Sequence, residues 1–149
     1  MAKKRKIVGK DNSSIGESGY RLNDSEIEQA LLTGEHSGLL EDYFGEQAYI
    51  ELKQMSLEAA AKTRKKGPRV LILPGIMGSK IGKPRLIFDD IIWIDPIDIV
   101  LGNLSKLSFD NGSSKLKALG VVLFAYLKIK LFFIIKGYDA EFYPFDWRK

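Results

Sequence analysis

A glycine-rich segment directly behind a short apolar run is the first candidate for a catalytic role in the sequence. Residues 74–79 read Pro-Gly-Ile-Met-Gly-Ser and follow Val-Leu-Ile-Leu at 70–73. A strand that ends in such a turn can point backbone N–H groups at a developing negative charge. Acyl transfer needs such donors, because its tetrahedral intermediate carries charge on the former carbonyl oxygen. Gly75 and Gly78 would let the backbone approach without a Cβ in the way. Glycine also occurs in many ordinary strand-to-loop turns, so the segment alone leaves both interpretations open.

Other chemistries fit the sequence poorly. The chain of 149 residues contains no cysteine, which excludes disulfides, thiolate catalysis and cysteine–zinc sites and fits a reducing compartment. Residues 78–84 are similar to a phosphate-binding P-loop, but one residue is missing between the glycines. In addition, Pro84 stands where Ser or Thr would hold magnesium. We therefore expect no metal and no cofactor.

The hydrophobic pattern predicts the strands and the helix around the glycine-rich segment. Uniform apolarity at 70–73 predicts a strand covered on both faces, as in a parallel sheet. Residues 115–136 form the longest helical candidate, apolar almost all round, with Lys117 and Lys128 on nearly one side. A second strand is predicted at 140–143, which gives the order strand, loop, helix, strand. This order predicts an α/β fold with a right-handed βαβ unit and parallel strands.

Helices are predicted elsewhere in the chain as well. Asp24 or Ser25 can cap a first helix, which Gly34 ends. A second helix is expected over residues 46–64 and a further one near 96–101. The buried side of the second helix is expected to comprise Tyr49, Leu52, Leu57 and Ala60.

Charge is distributed unevenly along the chain. Residues 1–20 begin with five basic residues, residues 22–52 carry eight acids and no Lys or Arg, and a second basic run lies at 62–69. Basic runs can bind nucleic acid or an anionic membrane. No aromatic residues interleave them, so a solvated tail and a charged linker are favoured and no nucleic-acid partner is expected. We interpret 1–20 as a basic flexible tail, 21–66 as a helical region and 67–149 as the α/β part.

No segment predicts a membrane span or a secretory signal. The basic start leads into polar residues rather than into an apolar run. The apolar stretch 118–135 is split by Lys128 and Lys130 into pieces shorter than the roughly 20 residues that a spanning helix needs. We expect a cytoplasmic protein, with peripheral contact to a membrane surface as an open alternative.

Three further motifs follow the glycine-rich segment in order. They are Trp-Ile-Asp-Pro at 93–96, Gly-Tyr-Asp at 137–139 and Pro-Phe-Asp-Trp-Arg at 144–148. With the apolar run and Pro-Gly-Ile-Met-Gly-Ser in front, the sequence resembles lecithin:cholesterol acyltransferase-like lipases over residues 67–149, most closely the bacterial members. The last motif usually reads Pro-Tyr-Asp-Trp-Arg, so Phe145 departs from it.

The resemblance implies an α/β-hydrolase fold with a mostly parallel sheet, a Ser-Asp-His triad, and hydrolysis or transfer of acyl groups on lipid esters. It implies that the backbone N–H groups of Ile76 and Met77 are the oxyanion-hole donors. Trp93 and Ile94 would lie near the substrate entrance, with packing of Trp93 under a loop as an equal alternative. Asp146, Trp147 and Arg148 would lead from a central strand into the next helix, with an ion pair or cap formed by Asp146 and Arg148 as the favoured alternative. The residues expected to support the site by structure are Gly75, Gly78, Asp146, Trp147 and Arg148.

The catalytic residues of that family are missing from the sequence. In this fold the nucleophile sits in Gly-x-Ser-x-Gly, followed by the acid and the histidine, but no such motif occurs. His36 is the only histidine, and it precedes the first predicted strand, where we expect a surface residue. The leading interpretation is a truncated or split lipase or O-acyltransferase with no catalytic residue in this chain. The alternative is a non-catalytic module that binds a partner or a membrane surface through the apolar helix 115–136. For the truncated enzyme, exposed apolar surface predicts self-association, membrane adsorption or a molten state, whereas a monodisperse monomer would favour the module.

Overall fold

A computed structural model describes residues 22–62, 67–84, 89–93, 107–108 and 115–149. Within them the chain is a mixed α/β protein. Its elements are α1 (Asp24–Thr33), α2 (Ser37–Phe44), α3 (Glu46–Ala61), β1 (Arg69–Ile72), β2 (Ser79–Lys83), β3 (Asp90–Trp93), β4 (Lys117–Val121), α4 (Leu123–Ile135) and β5 (Asp139–Phe142). The predicted tail 1–20, the predicted helix near 96–101 and Ile94 lie outside the described residues.

Strands β1 and β5 form a parallel pair, with Val70 opposite Ala140 and Ile72 opposite Phe142. The predicted parallel pairing of these two segments is therefore confirmed. Helix α4 immediately precedes β5 and packs against it. Strand, helix and strand thus occur in the predicted order, with a second sheet formed by the chain between β1 and α4.

The prediction that residues 70–73 are covered on both faces is wrong. Ile72 and Ala140 are buried, whereas about half of the Leu71 surface and more than half of the Leu73 surface are exposed. Successive side chains of a strand point to opposite faces of its sheet. In the described part of the chain only one face of the β1–β5 pair is covered, so the apolar run is split between a buried and an open side.

The second sheet is antiparallel, with strand order β3-β2-β4. Its central strand β2 lies within residues 78–84, the segment that is similar in sequence to a P-loop. The register shifts between Lys80 and Ile81 on the β4 side and between Ile81 and Gly82 on the β3 side. Such irregularities bend a strand and increase its local twist.

The prediction of one helix over residues 115–136 is wrong in its first part. Residues Lys117–Val121 form β4, which pairs antiparallel with β2, and helix α4 begins only at Leu123. Lys117 and Lys128 therefore do not share a helix face. Pairing with β2 favours the strand, because β2 supplies hydrogen-bond partners for the backbone groups of β4. The strand also packs closely on α1, since a Cβ at Gly120 would lie 2.5 Å from a carboxylate oxygen of Asp24.

Helix α1 begins with a reciprocal capping box at Asn23, so the predicted cap at Asp24 or Ser25 is wrong. The Glu26 N–H donates to Asn23 Oδ1 at 2.9 Å, and the Asn23 N–H donates to Glu26 Oε2 at 2.8 Å. Gly34 ends the helix in the left-handed conformation, with φ of 79°.

Helix α3 is shorter than predicted and buries a different stripe. It ends at Ala61, after which Lys62 is extended. Its buried residues are Tyr49, Leu52 and Ser56, whose spacing places them on one face. Leu57 and Ala60, which the sequence analysis assigned to the buried side, are exposed. Leu57 follows Ser56 by one position and therefore points about 100° away from the packed face.

One hydrophobic cluster joins the N-terminal helices to the strand–helix junction at β4 and α4. It buries residues from both regions, namely Ile27, Ala30, Leu31, Leu40, Tyr49, Leu52, Val121, Leu123, Leu127 and Leu131. Ion pairs at 2.7 Å support this packing: Lys130 with Glu28 joins α4 to α1, and Lys128 with Glu51 joins α4 to α3. Lys80 with Asp24, also at 2.7 Å, joins β2 to α1. Helix α4 is thus fixed from the α1 and α3 side as well as by β5.

Candidate functional site

Residues 74–78, which lie between β1 and β2, are called the glycine turn below. The turn begins at the carboxyl end of β1, which is paired in parallel with β5. Ligands of open parallel α/β sheets bind beyond the carboxyl ends of the strands. The glycine turn is therefore at the end of the pair where chemistry is expected.

A backbone hydrogen bond closes the glycine turn. The Gly78 N–H donates to the Gly75 carbonyl oxygen at 2.9 Å, so Ile76 and Met77 are the two central residues. Met77 has φ of 65°, in the left-handed region that favours glycine. Trp93 Nε1 donates to the Met77 carbonyl oxygen at 2.8 Å. This side-chain bond helps to hold a backbone conformation that costs free energy for a methionine.

The start of helix α4 anchors both ends of the turn. Tyr126 Oη accepts a hydrogen bond from the Gly75 N–H at 2.9 Å, and the Val122 N–H donates to the Gly78 carbonyl oxygen at 2.9 Å. A Cβ at Gly78 would lie 2.6 Å from Tyr126 Oη and 2.8 Å from Pro74 Cβ. Only glycine fits this position without displacing its neighbours.

Two adjacent backbone donors are left open by this arrangement. Within the described residues, no hydrogen bond uses the N–H of Ile76 or Met77. Ile76 is 81% exposed and Met77 47% exposed. Two neighbouring N–H groups at one exposed turn are a suitable arrangement for an oxygen that carries negative charge.

Trp93 is packed beside the glycine turn. Its ring meets that of Trp147 edge to face, with centroids 5.6 Å apart. This packing and the bond to Met77 give Trp93 a structural role, which was one of its two predicted roles. Substrate contact by Trp93 stays a prediction.

Residues 145–148 brace the residue that follows the turn. The Phe145 N–H donates to Ser79 Oγ at 3.1 Å, and Trp147 Nε1 donates to the Ser79 carbonyl oxygen at 3.1 Å. Ser79 is fully buried and its hydroxyl is engaged in this contact, which makes it unsuitable as a nucleophile.

Asp146 and Arg148 form the ion pair that the sequence suggested. Arg148 Nη2 donates to Asp146 Oδ2 at 2.7 Å and Arg148 Nε to Oδ1 at 2.8 Å, in a bidentate arrangement. Hydrogen bonds from the guanidinium lower the pKa of the Asp146 carboxyl below its ordinary value, and the carboxylate raises the pKa of Arg148. The guanidinium also donates to the Leu107 and Leu116 carbonyl oxygens, at 3.4 and 3.5 Å. The pair thus has a structural role, because Arg148 binds the backbone at Leu107 and Leu116 while it is paired with Asp146.

No catalytic triad is assembled by the described residues. His36 is exposed, as expected, and precedes α2 rather than lying at the glycine turn. A cavity of about 650 Å³ beside the start of α1 is lined in part by Glu26, Glu35 and His36. An apolar cavity of about 190 Å³ lies between α1, α3 and α4. Neither cavity includes a residue of the glycine turn.

The described residues offer neither a metal site nor a membrane-spanning helix. They contain no group of three or more His, Cys, Asp or Glu side chains that could hold a metal ion. None of the helices they form combines the length and the apolarity required to cross a bilayer.

Sequence analysis missed Tyr126 and Val122 as parts of the site. Both lie in the segment 115–136, which was predicted as one helix apolar almost all round, so no single position within it was assigned to the site. The available signal was the phenol itself, because a tyrosine hydroxyl among apolar residues generally requires a polar partner.

Comparisons with protein-family models, with curated proteins and with solved structures each return no match.

Proposed function

We propose that the chain is the oxyanion-binding N-terminal part of a lipase or O-acyltransferase of the α/β-hydrolase class. Its substrates would be acyl esters of lipids, and a Ser-Asp-His triad would be supplied from beyond these residues. One observation carries the proposal: the open N–H groups of Ile76 and Met77 lie at the carboxyl end of a parallel strand.

The chemistry of acyl transfer explains why such a turn is useful. The tetrahedral intermediate concentrates negative charge on one oxygen, and preorganised donors stabilise that charge more than the ground-state carbonyl. Removing one such donor typically costs about 3 kcal/mol of transition-state stabilisation. The glycine turn is held by Tyr126, Val122 and Trp93, so its donors need little rearrangement when charge develops.

The order of the motifs gives further support. The apolar strand, the glycine turn, the Trp-Ile-Asp-Pro segment and the Pro-Phe-Asp-Trp-Arg segment follow one another as they do in lecithin:cholesterol acyltransferase-like lipases. Trp93 and Trp147, which come from the two later motifs, contact each other beside the turn. Motifs that are far apart in the sequence therefore lie side by side in the structure.

The test is a titration of the ¹⁵N-labelled full chain with octylphosphonate, an anion that combines tetrahedral oxygens with an alkyl chain. We expect saturable amide shifts at Ile76 and Met77 that exceed those elsewhere in the chain. Octanol, which has the same chain without the charge, is the matched control. Equal shifts with octanol, or no shift at these two amides, would contradict the proposal.

A second candidate function has its own observation. Helix α4 exposes Phe124, Ile129 and Phe132, and Lys136 lies with its Nζ 5.6 Å from the centre of the Phe132 ring. Exposed aromatic residues beside lysines are typical of helices that lie on an anionic membrane surface. The chain would then be a non-catalytic module that docks on such a surface through α4.

Sedimentation with vesicles tests the second candidate. If α4 docks on membranes, the chain cosediments with phosphatidylserine-containing vesicles, and Phe132→Ser weakens that binding. Leu57→Ser is the matched control, because Leu57 has a similar exposure on α3. Equal binding by the two variants, or no binding by the parent chain, would remove the membrane candidate.

A further inference from the structure

We infer that Tyr126 is the positioning residue of the glycine turn, which it holds in the conformation that leaves the N–H groups of Ile76 and Met77 without a hydrogen-bond partner among the described residues. The inference rests on the proposed function for its importance, but its geometry is independent of it. Tyr126 acts through the turn and is not itself assigned a contact with substrate.

Tyr126 contacts both glycines of the turn. Its hydroxyl oxygen accepts the Gly75 N–H at 2.9 Å. The same oxygen and the ring carbon Cε2 would lie 2.6 and 2.9 Å from a Cβ at Gly78. One side chain therefore binds the start of the turn and packs tightly against its end.

Tyr126 is itself held by the helix that also binds the far end of the turn. The Tyr126 N–H donates to the Val122 carbonyl oxygen at 3.3 Å, while the Val122 N–H donates to Gly78. Val122 and Leu127, on either side of Tyr126 in the chain, are buried, which fixes the first turn of α4. The support beneath the glycine turn is thus one rigid helical turn.

The consequence concerns the two central peptide groups. Tyr126 holds the Gly75 N–H and Val122 holds the Gly78 carbonyl oxygen, while the Gly78 N–H closes the turn on the Gly75 carbonyl oxygen, so the turn cannot move relative to α4 without losing a bond. Ile76 and Met77 are left as the positions with open donors. Because Gly75 is exposed, water can replace the phenol as its partner. Loss of the hydroxyl should therefore loosen the turn without unfolding the protein.

The test compares Tyr126→Phe with Tyr138→Phe in the full chain. Tyr138 is an exposed tyrosine that packs on Phe133 and has no bond to the turn, so it controls for loss of a phenol elsewhere. We expect Tyr126→Phe to weaken octylphosphonate binding about fivefold, which is the size of one hydrogen bond. The thermal midpoint should match that of Tyr138→Phe, and Tyr138→Phe should bind like the parent chain.

A measurement on the parent chain needs no variant. Amide hydrogen exchange should show Gly75 protected and its neighbours Ile76 and Met77 unprotected, and Tyr126→Phe should remove the Gly75 protection. Unprotected Gly75 in the parent chain would overturn the inference.

The titrations separate this inference from the proposed function. If the parent chain binds octylphosphonate and Tyr126→Phe binds it equally well, the positioning inference fails and the proposed function stands. If the parent chain does not bind the anion but Tyr126→Phe still shifts the free Ile76 and Met77 amides, the positioning inference stands and the proposed function fails.

Discussion

Gly75 and Gly78 belong to one turn but face different surroundings. A Cβ at Gly78 would collide with the phenol of Tyr126 and with the Pro74 ring, both under 3 Å away. A Cβ at Gly75 would find its nearest neighbour, Tyr126 Oη, at 3.6 Å, which is ordinary contact. Close packing therefore requires glycine at one position and permits alanine at the other.

The first prediction follows from this difference. Gly78→Ala should lower the free energy of unfolding by about 1–3 kcal/mol, the usual cost of forcing extra atoms into a packed site. Gly75→Ala is the matched control and should change it by much less. Urea denaturation of the two variants measures both values. Equal costs at the two positions would show that the packing beneath the turn is looser than the distances indicate.

The second prediction concerns the ion pair of Asp146 and Arg148. The pKa of Asp146 is lowered in the folded state, first by hydrogen bonds from Arg148, from an ordinary value of 3.8. The stabilisation is therefore fully present above about pH 4 and is lost as the pH falls through the lower folded-state pKa. Urea midpoints measured from about pH 6 down to about pH 2 should fall more steeply for the parent chain than for Asp146→Asn. Parallel curves for the two proteins would contradict this linkage.

At the residue scale, the sequence predicted the roles that depend on neighbouring positions. Asp146 and Arg148 are two residues apart, so their pairing could be expected from local geometry alone. The bond between Gly75 and Tyr126 joins positions 51 apart, and no local pattern indicates it. Trp93 was left between two roles for the same reason, because its partners Met77 and Trp147 are distant in sequence.

At the element scale, the sequence predicted what a regular pattern can determine. The β1 and β5 segments were identified and their parallel pairing is confirmed, since strand–helix–strand order strongly favours it. Residues Lys117–Val121 were assigned to a helix because their apolar residues fit either structure. Their pairing with β2 decides the outcome, and β2 itself was not recognised as a strand. Long-range pairing of this kind overrides local preference.

The third prediction concerns the ion pair that ties α1 to β2. The side chains of Lys80 and Asp24 are only 5% and 18% exposed, and Asp24 also accepts the Val121 N–H at 2.8 Å. Lys80→Met leaves a largely buried carboxylate without its cation and should cost about 2–3 kcal/mol of unfolding free energy.

The control for the third prediction is an ion pair of similar length at the surface. The Arg69 and Glu141 side chains meet at 2.6 Å but are 67% and 48% exposed. Arg69→Met should leave the urea midpoint almost unchanged, because solvent screens such pairs. A larger loss for Arg69→Met than for Lys80→Met would contradict the assigned role of the buried pair.

At the scale of the whole molecule, one packed cluster supports the glycine turn from behind. Leu123 and Leu127 flank Tyr126 in α4 and lie in the cluster with residues of α1, α2 and α3. In addition, β1 exposes Leu71, Leu73 is exposed directly after it, and the turn exposes Ile76. The glycine turn is thus packed against α4, while apolar side chains near it in sequence stay exposed. The same exposed surface keeps self-association as a prediction.

The fourth prediction is that the purified chain does not hydrolyse short acyl esters such as p-nitrophenyl butyrate above the protein-free rate. Donors for an oxyanion give only residual catalysis without a nucleophile and a base. His36→Ala and Ser79→Ala should show the same background rate. Turnover that either substitution abolishes would show that this chain carries a nucleophile or base that the structure does not indicate.

The most direct measurement is a crystal structure of the full chain with octylphosphonate bound. The account predicts one phosphonate oxygen at about 2.7–3.1 Å from the backbone nitrogens of both Ile76 and Met77, the range that an oxyanion site requires. Tyr126 Oη should keep its bond to the Gly75 N–H in that complex. A phosphonate bound at the lysines of α4, with the glycine turn empty, would contradict the assignment of the turn as an oxyanion site.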